Sequence, residues 1–87
     1  MRKNTKTTTI GLYPVTIEPH KEGGYLASCS LFQGCRAEGE TIGEAIDNLR
    51  DVMGVHIEAR KELGEFIPSV EISHQADIRF TVPLPIR

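Results

Sequence analysis

The chain contains no tryptophan, only 6% aromatic residues and two cysteines, Cys29 and Cys35, in 87 residues. Two cysteines are too few for a disulfide scaffold. No apolar run is long enough to cross a membrane. The N-terminus lacks the apolar region of a secretory signal. These absences point to a cytoplasmic protein. No repeat, phosphate-binding loop or catalytic motif is present. Gly23-Gly24 precedes a strand rather than following one, so it reads as a hairpin turn and not as a phosphate loop. His20, His56, His74, Cys29 and Cys35 match no compact zinc spacing. The cysteines read instead as small buried side chains on neighbouring strands, and His56, within an apolar helix stripe, as a packed histidine. No catalytic residue, metal site or cofactor is expected.

What is present is one small domain. At this size a domain buries only about 60% of the surface its unfolded chain exposes, and association between copies would add to its stability. The net charge of −2 hides an asymmetry: Arg2, Lys3 and Lys6 stand in the first six residues, and residues 7–87 hold seven basic against twelve acidic residues, a net of −5. The folded part should repel nucleic acid and favour a basic partner. Residues 1–9 read as a flexible, basic, Thr-rich arm, and residues 10–87 as a single domain.

Residues 12–18 read as a first strand, with Tyr13, Val15 and Ile17 on one face and Pro14 marking an edge. Residues 25–29 and 35–38 read as the second and third strands, Cys35 and Ala37 facing inward. Thr41 and Glu44 form a capping box, in which the Thr hydroxyl accepts from the Glu44 N–H and the carboxylate reaches back to the Thr41 N–H. The helix it opens runs from about Ile42 to Leu63. Its apolar stripe is Ile42, Ala45, Ile46, Leu49, Val52, Met53, Ile57, Ala59 and Leu63, and Gly64 and Pro68 stop it. Residues 70–72 pair briefly, and 77–82, with Ile78, Phe80 and Val82 alternating, read as a last strand. The order β-β-β-α-β makes a two-layer α+β domain, one helix covering part of an antiparallel sheet. The uncovered sheet is a candidate surface for self-association.

Positions 44, 47, 51, 54, 58 and 62 fall on one side of the helix, and all but Gly54 are acidic. A charged helix face is commonly just solvated. A ridge of one sign is also what holds a basic surface by complementary potential. Glu44, Asp47, Asp51 and Glu58 are the candidate partner-binding residues.

Tyr13-Pro14-Val15-Thr16-Ile17-Glu18 with Glu22-Gly23-Gly24-Tyr25-Leu26-Ala27 resembles the opening hairpin of the HicB family of antitoxins. Gln33-Gly34-Cys35 followed by Glu38-Gly39-Glu40-Thr41-Ile42-Gly43-Glu44-Ala45 is similar to that family's central signature, and Gly64-Glu65-Phe66-Ile67-Pro68 to the end of its helix. The resemblance implies a partial ribonuclease-H-like fold without the nuclease site. It also implies a non-enzymatic role, binding and neutralising a small basic ribonuclease toxin of HicA type. There are two departures. Ser30-Leu31-Phe32-Gln33 replaces the family's Pro-Asp-Leu-Pro-like approach, and only 19 residues follow Pro68, too few for the DNA-binding domain of many members. Direct nucleic-acid binding is therefore not expected, whereas a homodimer or homotetramer is. The alternatives are a stand-alone oligomeric structural or regulatory module with no toxin, and a residual metal-dependent nuclease.

Overall fold

Gly23 and Gly24 both adopt positive φ, +108° and +84°, the backbone region that costs glycine nothing. They fold the chain back on itself at His20, whose N–H donates to the Gly24 carbonyl at 3.0 Å. In the computed structural model, which describes residues 7–73, 75, 77–84 and 86, the strands meeting at this turn are β2 (Thr16–Pro19) and β3 (Tyr25–Ser28). They pair antiparallel, Thr16 opposite Ser28 and Pro19 opposite Tyr25. β4 (Arg36–Gly39) adds to the far side of β3, with Ala27 opposite Ala37. The sheet order is β2-β3-β4, so β2 is an edge, a place that suits the proline at its end, Pro19.

The helix α1 (Ile42–Glu62) starts at Thr41, whose Oγ1 accepts the Glu44 N–H at 3.0 Å. The return bond differs from the expected one: the Glu44 carboxylate accepts from the N–H of Glu40, one residue before the cap. At the other end Gly64 takes φ +73°. There the Glu65 N–H donates to the Arg60 carbonyl at 2.9 Å and the Gly64 N–H to that of Lys61 at 3.1 Å, the bonding of a Schellman C-cap. Ala45, Leu49 and Met53 are the buried residues of the helix. They pack on Ala27, Cys29, Phe32 and Cys35 to form the core. Ile42, Ile46, Val52 and Ile57 are half-buried, whereas Ala59 and Leu63 of the expected stripe are exposed.

Three expectations need correction. Thr7–Thr9, read as part of a flexible arm, belong with Ile10 to the strand β1 (Thr7–Ile10). β1 pairs antiparallel with β5 (Val70–Ser73) in a separate two-stranded sheet; the rest of the arm, residues 1–6, lies outside the described residues. Residues 77–82 form no strand: they are extended chain without a ladder. The alternating pattern is there, but among the described residues no strand pairs with it. The α+β class holds, with antiparallel strands in two sheets and one helix among the described residues.

The third correction concerns the sheet face turned away from α1. It carries Thr16, Glu18, Ser28, Arg36 and Glu38 around the half-buried Leu26. That face is polar, so it offers little to hydrophobic self-association.

Candidate protein-binding surface

Glu44, Asp47, Asp51, Glu58 and Glu62 are all exposed along α1, since a step of three or four residues returns a side chain to the same helix face. The structure divides them by what they already hold. Glu44 is committed to the N-terminal cap through Glu40. Glu58 lies 3.9 Å from the ammonium of Lys61, one turn on, with both side chains largely in water. A pair so exposed adds little to stability, but it places a cation beside the ridge. Asp47 and Asp51 have no ion-pair partner among the described residues, and their charge is the most available of the predicted set. Between Asp51 and Glu58 the missing side chain of Gly54 opens a shallow groove floored by Val55 and Ala59 and rimmed by Asp51, Glu58 and Glu62. A long cationic side chain suits such a groove, its methylenes on the floor and its charge at the rim.

The pattern along the helix missed part of the acidic surface. Glu38 and Glu40 stand next to Glu44 around a cleft shared with His20, Gly23 and Gly24. The carboxylate of Glu38 is 3.5 Å from His20 Nε2. These two acids lie on β4 and the turn after it, so helical periodicity cannot find them. The signal available was their sequence proximity to the cap.

Phe32 is the other residue the sequence pattern hides. It sits in the irregular stretch between β3 and β4, yet it is buried. Its ring stacks on His56 and meets Tyr13 at 5.5 Å, and the Arg60 guanidinium lies 5.0 Å above it. The Tyr13 hydroxyl donates to the Pro68 carbonyl at 2.7 Å. His56 is therefore a packing partner, as expected. The loop departing from the family pattern is held by its own anchor, and Leu31 at its tip is half in water.

Cys29 and Cys35 are free and buried, facing each other across the sheet where the Cys29 N–H donates to the Cys35 carbonyl at 3.0 Å. Burial pushes the Cys35 thiol above its ordinary pKa, and Cys29 beside it adds to the effect. Such thiols are inert rather than nucleophilic. Among the described residues no three His, Cys, Asp or Glu side chains gather as a metal ion requires; His74 lies outside them. No helix among the described residues is long and apolar enough to cross a membrane.

The acidic residues of α1 and of the turn before it form an exposed surface. A family profile described as HicB-like antitoxin of bacterial toxin-antitoxin system matches residues 13–79. A UPF0150 protein of Synechocystis is 36% identical over 59 residues, 68% of this chain and 81% of that protein. A UPF0150 protein of Thermoplasma acidophilum is 32% identical over 56 residues, 64% of this chain and 81% of its own length. The antitoxin HicB of Escherichia coli K12 is 32% identical over 74 residues, which cover 85% of this chain but only 54% of the antitoxin. No solved structure matches the chain. The chain belongs to the HicB-like antitoxin family of bacterial toxin-antitoxin systems.

Proposed function

We propose that this protein binds and neutralises a small basic ribonuclease toxin of HicA type, in the cytoplasm and without catalysis, by covering the surface with which the toxin holds RNA. The observation that carries the reading is the exposed acidic face of α1, with Asp47 and Asp51 unpaired among the described residues. A nuclease that grips phosphates presents cations, and carboxylates in a row compete for them. Glu58 and Glu62 extend the face past the Gly54 groove. Glu44 contributes chiefly by holding the helix start. β2, β3, β4 and α1 supply the scaffold, which we read as the partial ribonuclease-H-like arrangement the family resemblance implies. Twelve acidic residues against ten basic ones in the whole chain suit a protein partner better than nucleic acid.

The test is a binding titration with the product of the adjoining reading frame, if that encodes a small basic protein. Asp47→Lys with Asp51→Lys should weaken binding at least tenfold and leave the far-UV spectrum unchanged. Unaltered affinity in a folded double variant would make the face merely solvated.

The second reading is a stand-alone oligomeric structural or regulatory module of the same fold with no toxin partner. Recovery of the tagged protein from its own cells with no small basic companion would support it.

A further inference from the structure

Nothing inside the fold asks for glycine at position 54. The residue lies in the middle of α1 with ordinary helical backbone, and a Cβ there would meet nothing within 4 Å. Glycine is among the poorest helix formers, so the helix is weakened there without a turn, a close approach or a neighbour to account for it. The effect is on the outer face. The missing side chain leaves Val55, 70% exposed, and Ala59 as an apolar floor, with Asp51 on one side and Glu58 and Glu62 on the other. Asp51 and Glu58 stand two helical turns apart. A local rule broken with no compensation inside the chain is the mark of a functional position.

We propose that this groove seats an arginine side chain of the protein partner, its methylenes on Val55 and Ala59 and its guanidinium against the carboxylates of the rim. The proposal rests on the reading that the acidic face of α1 binds a basic protein. It adds the side chain that is gripped and the residue that makes room for it. Charge selects a cation, since three carboxylates edge the groove. Lys61, whose ammonium is 3.9 Å from Glu58, does not line it. Among the described residues Asp51 and Glu62 have no ion-pair partner. Like charge at the rim repels phosphate, which excludes nucleic acid as the occupant. The floor then selects among cations. A metal ion or a lysine ammonium holds its water tightly and gains nothing from an apolar surface. A guanidinium is planar and weakly hydrated, and its stem is apolar. Gly54 gives up helix stability to leave room for that stem.

The test is an amide NMR titration of the full chain at low salt with a blocked tetra-arginine peptide. A parallel titration uses methylguanidinium, which has the charge and no stem. With the peptide, the amides of Gly54, Val55 and Ala59 should move most. Gly54→Leu fills the groove, keeps every charge and improves the helix. It should weaken the peptide about threefold or more, while methylguanidinium binds as before. Should Gly54→Leu aggregate, Val55→Ser removes the floor by another route and should weaken the peptide likewise. Tetra-lysine should bind the wild type about threefold more weakly than tetra-arginine; equal affinities would overturn the assignment to arginine. Peptide shifts confined to Asp47 and Asp51, or folded Gly54→Leu and Val55→Ser proteins that bind as the wild type does, would overturn the groove and leave the acidic face as a binding surface. No shift anywhere along α1 would overturn both.

Discussion

The ring of Phe32 lies against the imidazole of His56 with centroids 5.6 Å apart and planes 24° from parallel. Phe32 comes from an irregular loop between strands and His56 from the second half of α1, so the contact fixes the loop to the helix. With Tyr13 and Arg60 also on the ring, Phe32 joins the segment before β2, the loop and the helix end in one cluster.

Truncating that ring should be among the most damaging single changes available. Phe32→Ala removes a buried aromatic and leaves a void, at a cost of about 3 kcal/mol or more. That is a large share of the roughly 4–13 kcal/mol that holds a domain of this size folded. Phe32→Leu, which keeps most of the volume, should lose less than half as much. Urea denaturation of the two variants checks the order. Equal losses would mean that the loop collapses onto the helix and the void closes.

Where the sequence was legible, the chemistry was local. Gly23-Gly24 needs positive φ, Thr41 and Glu44 are three residues apart, and Gly64 closes the helix through carbonyls one turn back; none of these depends on the rest of the chain. The three strands of the larger sheet were legible from their residue types, although the first begins at Thr16 rather than Leu12; their register needed coordinates. What failed was long-range. Thr7–Ile10 finds its partner at Val70–Ser73, on the far side of the whole domain, and no window of the sequence contains both. Residues 77–82 show the opposite error, a sound strand pattern with no paired neighbour among the described residues. Phe32 was lost because it interrupts the period. The acidic face was legible as a face, but the engagement of Glu44 with Glu40, and the approach of Lys61 to Glu58, needed coordinates.

Cys35 gives a pH dependence with a definite sign. Burial, with Cys29 beside it, raises the thiol pKa in the folded state. Below the ordinary thiol value of about 8.5, folded and unfolded chains both keep the proton and Cys35 adds no slope. Above it the unfolded chain releases the proton while the folded chain holds it, so stability falls as pH rises until the raised folded value is passed. The urea midpoint should therefore drop between pH 7.5 and 9.5, and Cys35→Ala, though less stable throughout, should drop less. Parallel curves for the two proteins would assign the slope to other groups.

Gly39 and Gly54 should respond to the same substitution with opposite signs. Gly39 ends β4 where the first turn of α1 presses on it. A Cβ there would overlap the backbone nitrogen of Ala45 and stand 2.8 Å from its Cα. Backbone cannot swing aside as a side chain can, so the helix would have to lift from the strand, displacing Ala45 from the core. Gly39→Ala should cost about 1–3 kcal/mol, the usual penalty of overpacking. Gly54 lies mid-helix on the exposed face, and a Cβ there meets nothing within 4 Å. Gly54→Ala exchanges a poor helix former for the best one, a gain of up to about 1 kcal/mol. Thermal melts of the two variants beside the wild type should bracket it. If Gly39→Ala melts with the wild type, α1 does not rest on β4 as closely as the packing around Ala45 indicates.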